Sequence, residues 1–245
     1  MKNAREQAGA PEGRTPRGTL TRAAILAAAH ELVAGDGFDA LTMRALADAL
    51  GTGAMALYRH FRNRDELVAA LLDELLGTIP LAVDDGGDWQ ASLSQLARAH
   101  HEMLLRVPSA IPSFLATPMS GPHASRFGEA VLGVLHGAGF TGEAAVGHFF
   151  TILALNYGYA SFEARRQHPG TPDDPPAERI RRTQVALASL PEQEFPLTVA
   201  LARPLARFAT TDANYSFAVE VVMAGIADAA ERTGRRERKA PRKVG

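Results

Sequence analysis

Gly137-Ala-Gly139-Phe-Thr-Gly142 has the glycine spacing of a loop that lets backbone amides approach a pyrophosphate. That chemistry needs a strand ahead of the loop and an acid about 20 residues beyond it. Residues 131–136 have helical spacing and position 159 is Tyr, so the run is expected to be a turn between two helices. His101-Glu102 begins a zinc-protease pattern, but Leu105 stands where the second histidine belongs. His100 and His101 are neighbours, which a helix points about 100° apart, so they do not chelate one ion together. No GxSxG elbow, P-loop or paired carboxylate motif is present. Asn214-Tyr-Ser216 matches a glycosylation acceptor only by chance in the setting expected below. No catalytic set, metal site or cofactor is expected. What remains is a run of cationic and hydrogen-bonding side chains at Arg44, Tyr58, Arg59, His60, Arg62 and Arg64. Arginine pairs with phosphates and, in bidentate fashion, with guanine.

A scaffold must hold these side chains. The chain has 245 residues, 46 % hydrophobic and 22 % charged, ordinary proportions for one or two packed domains. It has no cysteine, which removes disulfide frameworks, thiolate zinc sites and cysteine nucleophiles and suits a reducing compartment. Its longest unbroken apolar run, 23–29, is seven residues, against about 20 for a membrane span. A soluble cytoplasmic protein with no membrane partner is expected. The net charge of −1 hides an asymmetry. Residues 1–66 hold nine Lys and Arg against eight Asp and Glu, residues 67–231 ten against eighteen, and residues 232–245 seven against one. An acidic body between basic ends suits a partner that carries phosphates, though the basic end alone fits a solvated tail equally well.

Residues 1–18 and 233–245 show no apolar period and are expected to be a disordered arm and a basic disordered tail. Between them Ala and Leu recur at helical spacing and strand-like alternation is absent, so the fold class is all-α. A first helix is expected from Thr19 or Thr21 to residue 34, stopped by Gly35 and Gly37, with Ile25, Ala29, Leu32 and Val33 on one face. Phe38 and Leu41 turn inward, and Thr42 caps a two-turn helix over 43–50 that Gly51 ends. A second short helix follows over 53–60 and a longer one over 64–78. Two short helices joined by a glycine turn form a helix-turn-helix, with Leu46, Ala47, Leu50, Leu57 and Phe61 inside. Helices this short need the 25–33 face and Leu67, Leu71 and Leu72 as a shared core, because nucleation is costly and few hydrogen bonds offset it. Residues 19–66 thus form one domain and 67–232 a larger helical one. The latter has helices expected over 89–106, 112–119, 123–138, 143–167, 176–190, 196–208 and 212–232. The proline-rich run 169–176 reads as a stiff exposed linker.

The run Thr42-Met-Arg-Ala-Leu-Ala-Asp-Ala-Leu-Gly51, followed by Ala56-Leu-Tyr-Arg-His-Phe-Arg-Asn-Arg-Asp-Glu-Leu67, resembles the DNA-binding domain of the tetracycline-repressor (TetR) family. The resemblance covers residues 20–75, and Leu57-Tyr-x-His60-Phe-x-Asn63-Arg64 is its most specific element. A weaker resemblance to the tetracycline-repressor-like C-terminal domain rests on Asp88-Trp89, Gly139-Phe140, Gly147-His148-Phe149 and the stretch from Phe217 to Gly225.

In a helix-turn-helix the second helix enters the major groove while the first crosses the backbone. With Leu57 and Phe61 in the core, the helix over 53–60 leaves Thr52, Gly53, Ala54, Met55, Ala56, Tyr58 and Arg59 to face DNA. Of these only Arg59 can pair bidentately with guanine, while Ala54 and Ala56 can touch a thymine methyl. By resemblance, Thr42, Tyr58, His60 and Arg64 take phosphates and Arg44 lies nearer the bases. Arg14, Arg17 and Arg22 could add arm contacts.

The resemblance also implies a homodimer built on the helices over 143–167 and 212–232. Val146, Phe149, Phe150, Leu153 and Tyr157 on the first, with Ala218, Val221, Val222, Gly225 and Ala229 on the second, set large residues against small ones, as close helix packing needs. The ligand-binding residues it implies are Thr78, Leu96, His100, Phe114, Thr117, Val131 and Leu135, mostly apolar with a few polar points. Phe114 occupies the position of the family's main histidine metal ligand, so a magnesium–tetracycline complex is not the expected inducer. The implied lever is the helix over 64–78, shared by both domains. These expectations describe a ligand-responsive regulator, in the first instance a repressor that a small apolar or amphipathic effector releases from a palindromic double-stranded operator. The alternatives are an all-α enzyme using His100 or His148 and an architectural DNA-binding protein without an inducer.

Overall fold

The computed structural model describes residues 20–82, 87–118, 120–166 and 174–239, and every regular element among them is helical. The head is built from α1 (Arg22–Asp36), α2 (Met43–Ala49), α3 (Ala54–Leu57) and α4 (Arg64–Leu76). Three of these start where a short polar side chain caps the first turn. Thr21 Oγ1 accepts from the Ala24 N–H at 3.1 Å, Thr42 Oγ1 from Ala45 at 3.0 Å, and Asn63 Oδ1 from Glu66 at 2.8 Å. Gly51 turns the chain from α2 to α3 at φ +62°, a left-handed backbone that a side chain would strain. Ile25, Leu41, Leu46, Leu57, Phe61 and Leu67 are wholly buried. Each contributes about 1.5–3 kcal/mol by burial, stabilisation that helices this short cannot supply from their own hydrogen bonds.

The helix expected over 53–60 is shorter than that. Its regular part is α3, and the winding continues as a turn in which His60 and Phe61 N–H donate to Leu57 O at 2.9 and 3.0 Å. Phe61 must reach the core and Asn63 already caps α4, so no further turn fits.

The body contains α5 (Trp89–Arg106), α6 (Ile111–Ala116), α7 (Pro122–Gly137), α8 (Gly142–Arg166), α9 (Pro176–Ala188), α10 (Pro196–Ala200), α11 (Ala202–Thr210) and α12 (Ala213–Lys239). The span of α5 is the expected one, and it runs through the centre against α4, α7, α8 and α12. The glycine run at 137–142 joins α7 to α8 as a turn. The helix expected over 112–119 stops at Ala116, because Thr117 precedes Pro118 and turns extended, φ −110° and ψ 124°. The helix expected over 196–208 is broken into α10 and α11. Pro204 has no N–H for the carbonyl of Ala200, and in a continuous helix its ring would strike that carbonyl. The tail expected from residue 233 instead continues α12 to Lys239. Arg, Glu and Lys are good helix formers, and cations suit a helix C-terminus. The domain boundary expected at residue 66 falls inside α4, whose Leu67, Leu71, Leu72, Leu75 and Leu76 belong to one core cluster continuous from head to body. The arm 1–18 and the tail beyond 239 lie outside the described residues. No helix among the described residues is long and apolar enough to cross a membrane.

Candidate nucleic-acid interface and ligand cavity

The outer face of the α2–α3 corner is open. Met55 and Tyr58 are 78 % and 45 % exposed, and Thr42, Arg44, Gly53 and Arg59 are exposed beside them. Thr52, Ala54, Ala56 and His60 are half-buried. Thr42 uses its oxygen to accept from Ala45 and retains its own O–H for a phosphate oxygen.

Two of the expected arginines are engaged within the chain. Arg64 Nε donates to the Leu41 carbonyl at 2.6 Å and Nη2 to the Phe38 carbonyl at 3.1 Å. In this bracket a planar fork spans two carbonyls and ties the 38–41 loop to α4. Arg22 Nη1 donates to the His60 carbonyl at 2.9 Å and lies 3.4 Å from Glu66 Oε1, with its guanidinium 4.0 Å above the Phe61 ring. It staples α1 to the α3–α4 turn. The Arg62 N–H and then Arg22 hold the Glu66 carboxyl below its usual pKa. Arg14 and Arg17 lie outside the described residues.

In the body a cavity of about 560 Å³ opens between α5, α6, α7 and α8. Of the seven expected ligand residues, His100, Phe114 and Thr117 line it. Leu96, Val131 and Leu135 do not; they are packed in the core at 1 % exposure or less. Each lies on its helix with a rotation that faces a neighbouring helix, since one position turns a side chain by about 100°. Thr78 is also off the wall, its hydroxyl donating to the Leu75 carbonyl at 2.7 Å. Leu76, Leu115, Pro118, Ala124, Phe127 and Ala154 complete the lining and were not anticipated. Phe149, Phe150, Leu153 and Tyr157, expected at a dimer interface, also line this cavity. Helix α8 is apolar on two faces, and helical spacing alone does not separate them.

A buried polar chain runs behind the cavity. Asn156 of α8 donates from Nδ2 to the Ala97 carbonyl at 2.8 Å and lies 3.0 Å from His100 Nδ1. Tyr215 of α12 donates its O–H to Asn156 Oδ1 at 3.0 Å. The His101 ring stacks on Tyr215 at 3.6 Å, and its Nε2 is 3.5 Å from Glu163 Oε1. Burial, reinforced by the neighbouring His101, pushes His100 down to about 3, and burial, reinforced by Arg98 and opposed by Asp212, pushes His101 down to about 4, so both are neutral near pH 7. Burial raises Tyr157 to about 12.

Head and cavity meet on α4. Asp73, 6 % exposed, accepts from the Ala124 N–H at 2.8 Å and the His123 N–H at 3.3 Å, capping α7 from another helix. Gly121 makes this possible: a Cβ there would fall 2.2 Å from the carboxylate. His30 Nε2 and Glu74 Oε2, 2.7 Å apart, join α1 to the same helix.

The remaining expected interface residues divide by exposure. Val146, Phe150 and Val221 are 45 %, 60 % and 54 % exposed, and Gly225 is exposed. Ala218, Val222 and Ala229 are half-buried. Phe162 and Phe217, at 64 % and 55 %, extend the same stripe and were missed. The i+4 series 146, 150, 154, 158, 162 carries the signal. A row of exposed large apolar residues on two adjacent helices marks a surface built for a partner.

A helix-turn-helix head joined through one shared helix to a helical body with an apolar cavity is the architecture of a one-chain regulator. Residues 25–71 match the model of bacterial regulatory proteins of the tetR family, and residues 81–230 match the tetracyclin repressor-like C-terminal domain. The chain belongs to the tetracycline-repressor family. Relatives include an HTH-type transcriptional regulator of Saccharopolyspora erythraea, 35 % identical over 49 % of this chain and 51 % of that one. Another is the HTH-type transcriptional repressor DrrR1 of Streptomyces coeruleorubidus, 32 % identical over 63 % and 56 %. The class A tetracycline repressor of Escherichia coli is 33 % identical over 55 % and 62 %. The chain therefore spans between half and two thirds of these curated relatives' length. Among solved structures, apo ActR from Streptomyces coelicolor matches with a TM-score of 0.76 at 25 % identity, over 88 % of this chain and 98 % of that one. ActR in complex with actinorhodin matches at 0.76 and 26 %, over 84 % and 95 %. Among the described residues no three His, Asp or Glu come together as metal ligands, and no carboxylate lines the cavity. A ligand carried on a hard divalent cation does not fit such a donor set.

Proposed function

We propose that the protein is a homodimeric, ligand-responsive transcription regulator, a repressor that leaves a palindromic operator when a small apolar or amphipathic molecule fills the cavity. The observation that carries this reading is the double membership of α4. Leu67 and Leu71 belong to the head's core, Leu76 lines the cavity, and Asp73 caps α7. A cavity occupant that favours one tilt of α4 shifts the population of head positions. In a two-fold dimer the two heads read half-sites about 34–36 Å apart, so a small tilt spoils the spacing. The open Tyr58–Arg59 corner supplies the DNA face, the stripe from Val146 to Phe162 with Val221 supplies the dimer face, and such a protein works where DNA is, in the cytoplasm. That ActR, of like fold, is known in complex with actinorhodin supports a small organic effector.

The test uses DNA recovered by the full-length protein from a random pool, with binding read by fluorescence anisotropy across salt. Arg59→Ala should weaken binding by about 1–3 kcal/mol, roughly five- to 150-fold, and Tyr58→Ala should weaken it about equally for all sequences with the salt slope unchanged. Phe162→Glu with Val221→Glu should sediment as a monomer and lose the palindrome. Unchanged binding in the Arg59 variant removes the corner from the DNA site.

A further inference from the structure

We propose that His100 offers its Nε2–H to the cavity occupant, and so selects flat, uncharged aromatic effectors that carry an acceptor oxygen such as a ring ketone. The proposal rests on the reading of this cavity as the effector site and names what that site prefers. The chain of hydrogen bonds behind the cavity determines where the proton sits. The Ala97 carbonyl can only accept, so the Asn156 atom 2.8 Å from it is the NH2 group. The Tyr215 hydroxyl lies 3.0 Å from the other end of that amide and 3.2 Å from the Ala97 carbonyl, an arrangement compatible with the same orientation. The second Asn156 N–H then reaches His100 Nδ1 at 3.0 Å, and Nδ1 must be the bare, accepting nitrogen. A neutral imidazole with a bare Nδ1 carries its proton on Nε2. Burial at zero exposure keeps the ring neutral.

That Nε2 has no hydrogen-bond partner among the described residues, although His100 belongs to the cavity lining. A buried donor left without an acceptor is costly, and an occupant that supplies one recovers the cost. The walls around it are rings: Phe127 lies 5.0 Å and Tyr157 5.4 Å from the His100 ring, and Phe114, Phe149 and Phe150 line the same space. Among the described residues no Lys or Arg lines the cavity, so an anionic occupant would lose its hydration without gaining a counter-charge. Shape and polarity together ask for a flat aromatic with one well-placed neutral acceptor.

Fluorene and 9-fluorenone differ by one carbonyl oxygen and separate these demands. In equilibrium dialysis with the full chain, fluorenone should bind about tenfold tighter than fluorene. In His100→Phe, which keeps the volume and removes the donor, the two should bind within about twofold of each other. A measurement on the unmutated protein guards against a variant that does not fold. With 15N-labelled histidine, two-bond 15N–1H spectra should show one ring with a bare Nδ1 and a protonated Nε2 that shifts with fluorenone and not with fluorene. Equal affinity of the two compounds for the wild-type chain, or a preference that survives His100→Phe, overturns the proposal while leaving the cavity reading intact. No binding of either compound overturns both.

Discussion

In the head, the fully buried side chains are apolar: Ile25, Leu41, Leu46, Leu57, Phe61 and Leu67. In the body, Ser92, His100, His101 and Asn156 are buried to between 0 and 3 % exposure at the centre of the bundle. The head satisfies its polar groups at its edges, through caps three residues away in sequence and arginines that reach loop carbonyls. The body satisfies Asn156 and Tyr215 with partners 56 to 118 residues away. Under the proposed function, a reading head needs only a dry core and firm edges, whereas a sensing body gains from polar groups kept inside, because a cavity without them would bind apolar molecules with little discrimination.

The largest effect expected to expose this contrast is acid destabilisation of the body. Both central histidines have a folded pKa below the unfolded value of about 6.5, at about 3 and about 4. The unfolded chain then binds protons that the folded chain refuses. Their stabilisation is complete above about pH 6.5 and is lost as pH falls toward 4, by up to about 1.4 kcal/mol per unit for each ring. Urea unfolding followed by circular dichroism at about pH 7 and about pH 5 should show this loss, and a His100→Phe, His101→Phe double variant should show far less of it. Loss of equal size in the double variant would place the acid sensitivity in carboxylates instead. Glu66, held low by the Arg62 N–H, belongs to a different window, below the ordinary glutamate value of 4.5.

A smaller effect tests the head. Arg64→Ala strands the Leu41 carbonyl and leaves the Phe38 carbonyl with the Leu41 N–H alone, and charge-assisted bonds of this kind are worth about 1.5–3 kcal/mol. We expect a loss of about 2 kcal/mol in the urea midpoint analysis, with Arg64→Lys recovering little, because an ammonium does not span two carbonyls. Arg62→Ala, two residues away with an exposed side chain, should leave the midpoint unchanged. If the two variants behave alike, the bracket contributes nothing and Arg64 returns to the set available for phosphate.

These contrasts also explain what could be read before the fold was known. The Thr42 cap, the Gly51 turn and the full span of α5 follow from local rules, and the structure shows each of them. The Arg64 bracket was not legible, because a cation before a helix looks the same whether it faces solvent or the carbonyls of a loop 23 and 26 residues back. Leu96, Val131 and Leu135, expected in the cavity, are packed in the core beside it, and Phe149, Leu153 and Tyr157, expected at a dimer interface, line the cavity. Apolar character says that a side chain leaves water and not which neighbour it meets. The Asn156–Tyr215 pair had no signal at all: one amide in a long apolar helix and one tyrosine at the start of another become partners only when α5 lies between them. The break at Pro204 was legible in principle and was passed over.

The smallest effect concerns the one residue at which the head's stability and its DNA face coincide. Thr42 Oγ1 caps α2 by accepting from Ala45 at an exposed position, which leaves its O–H free to donate. Thr42→Ala removes both functions, Thr42→Ser keeps both, and Thr42→Asp keeps the cap while replacing the donor with a negative charge. The cap is worth about 1 kcal/mol, so Ala should lower the unfolding midpoint modestly while Ser and Asp do not. DNA affinity should sort differently: Ser near wild type, Ala weaker, and Asp weaker still, because a carboxylate beside a phosphate repels it. If affinity instead followed stability, with Asp binding as well as Ser, Thr42 would be a helix cap alone. The backbone contact would then have to come from Tyr58 and His60.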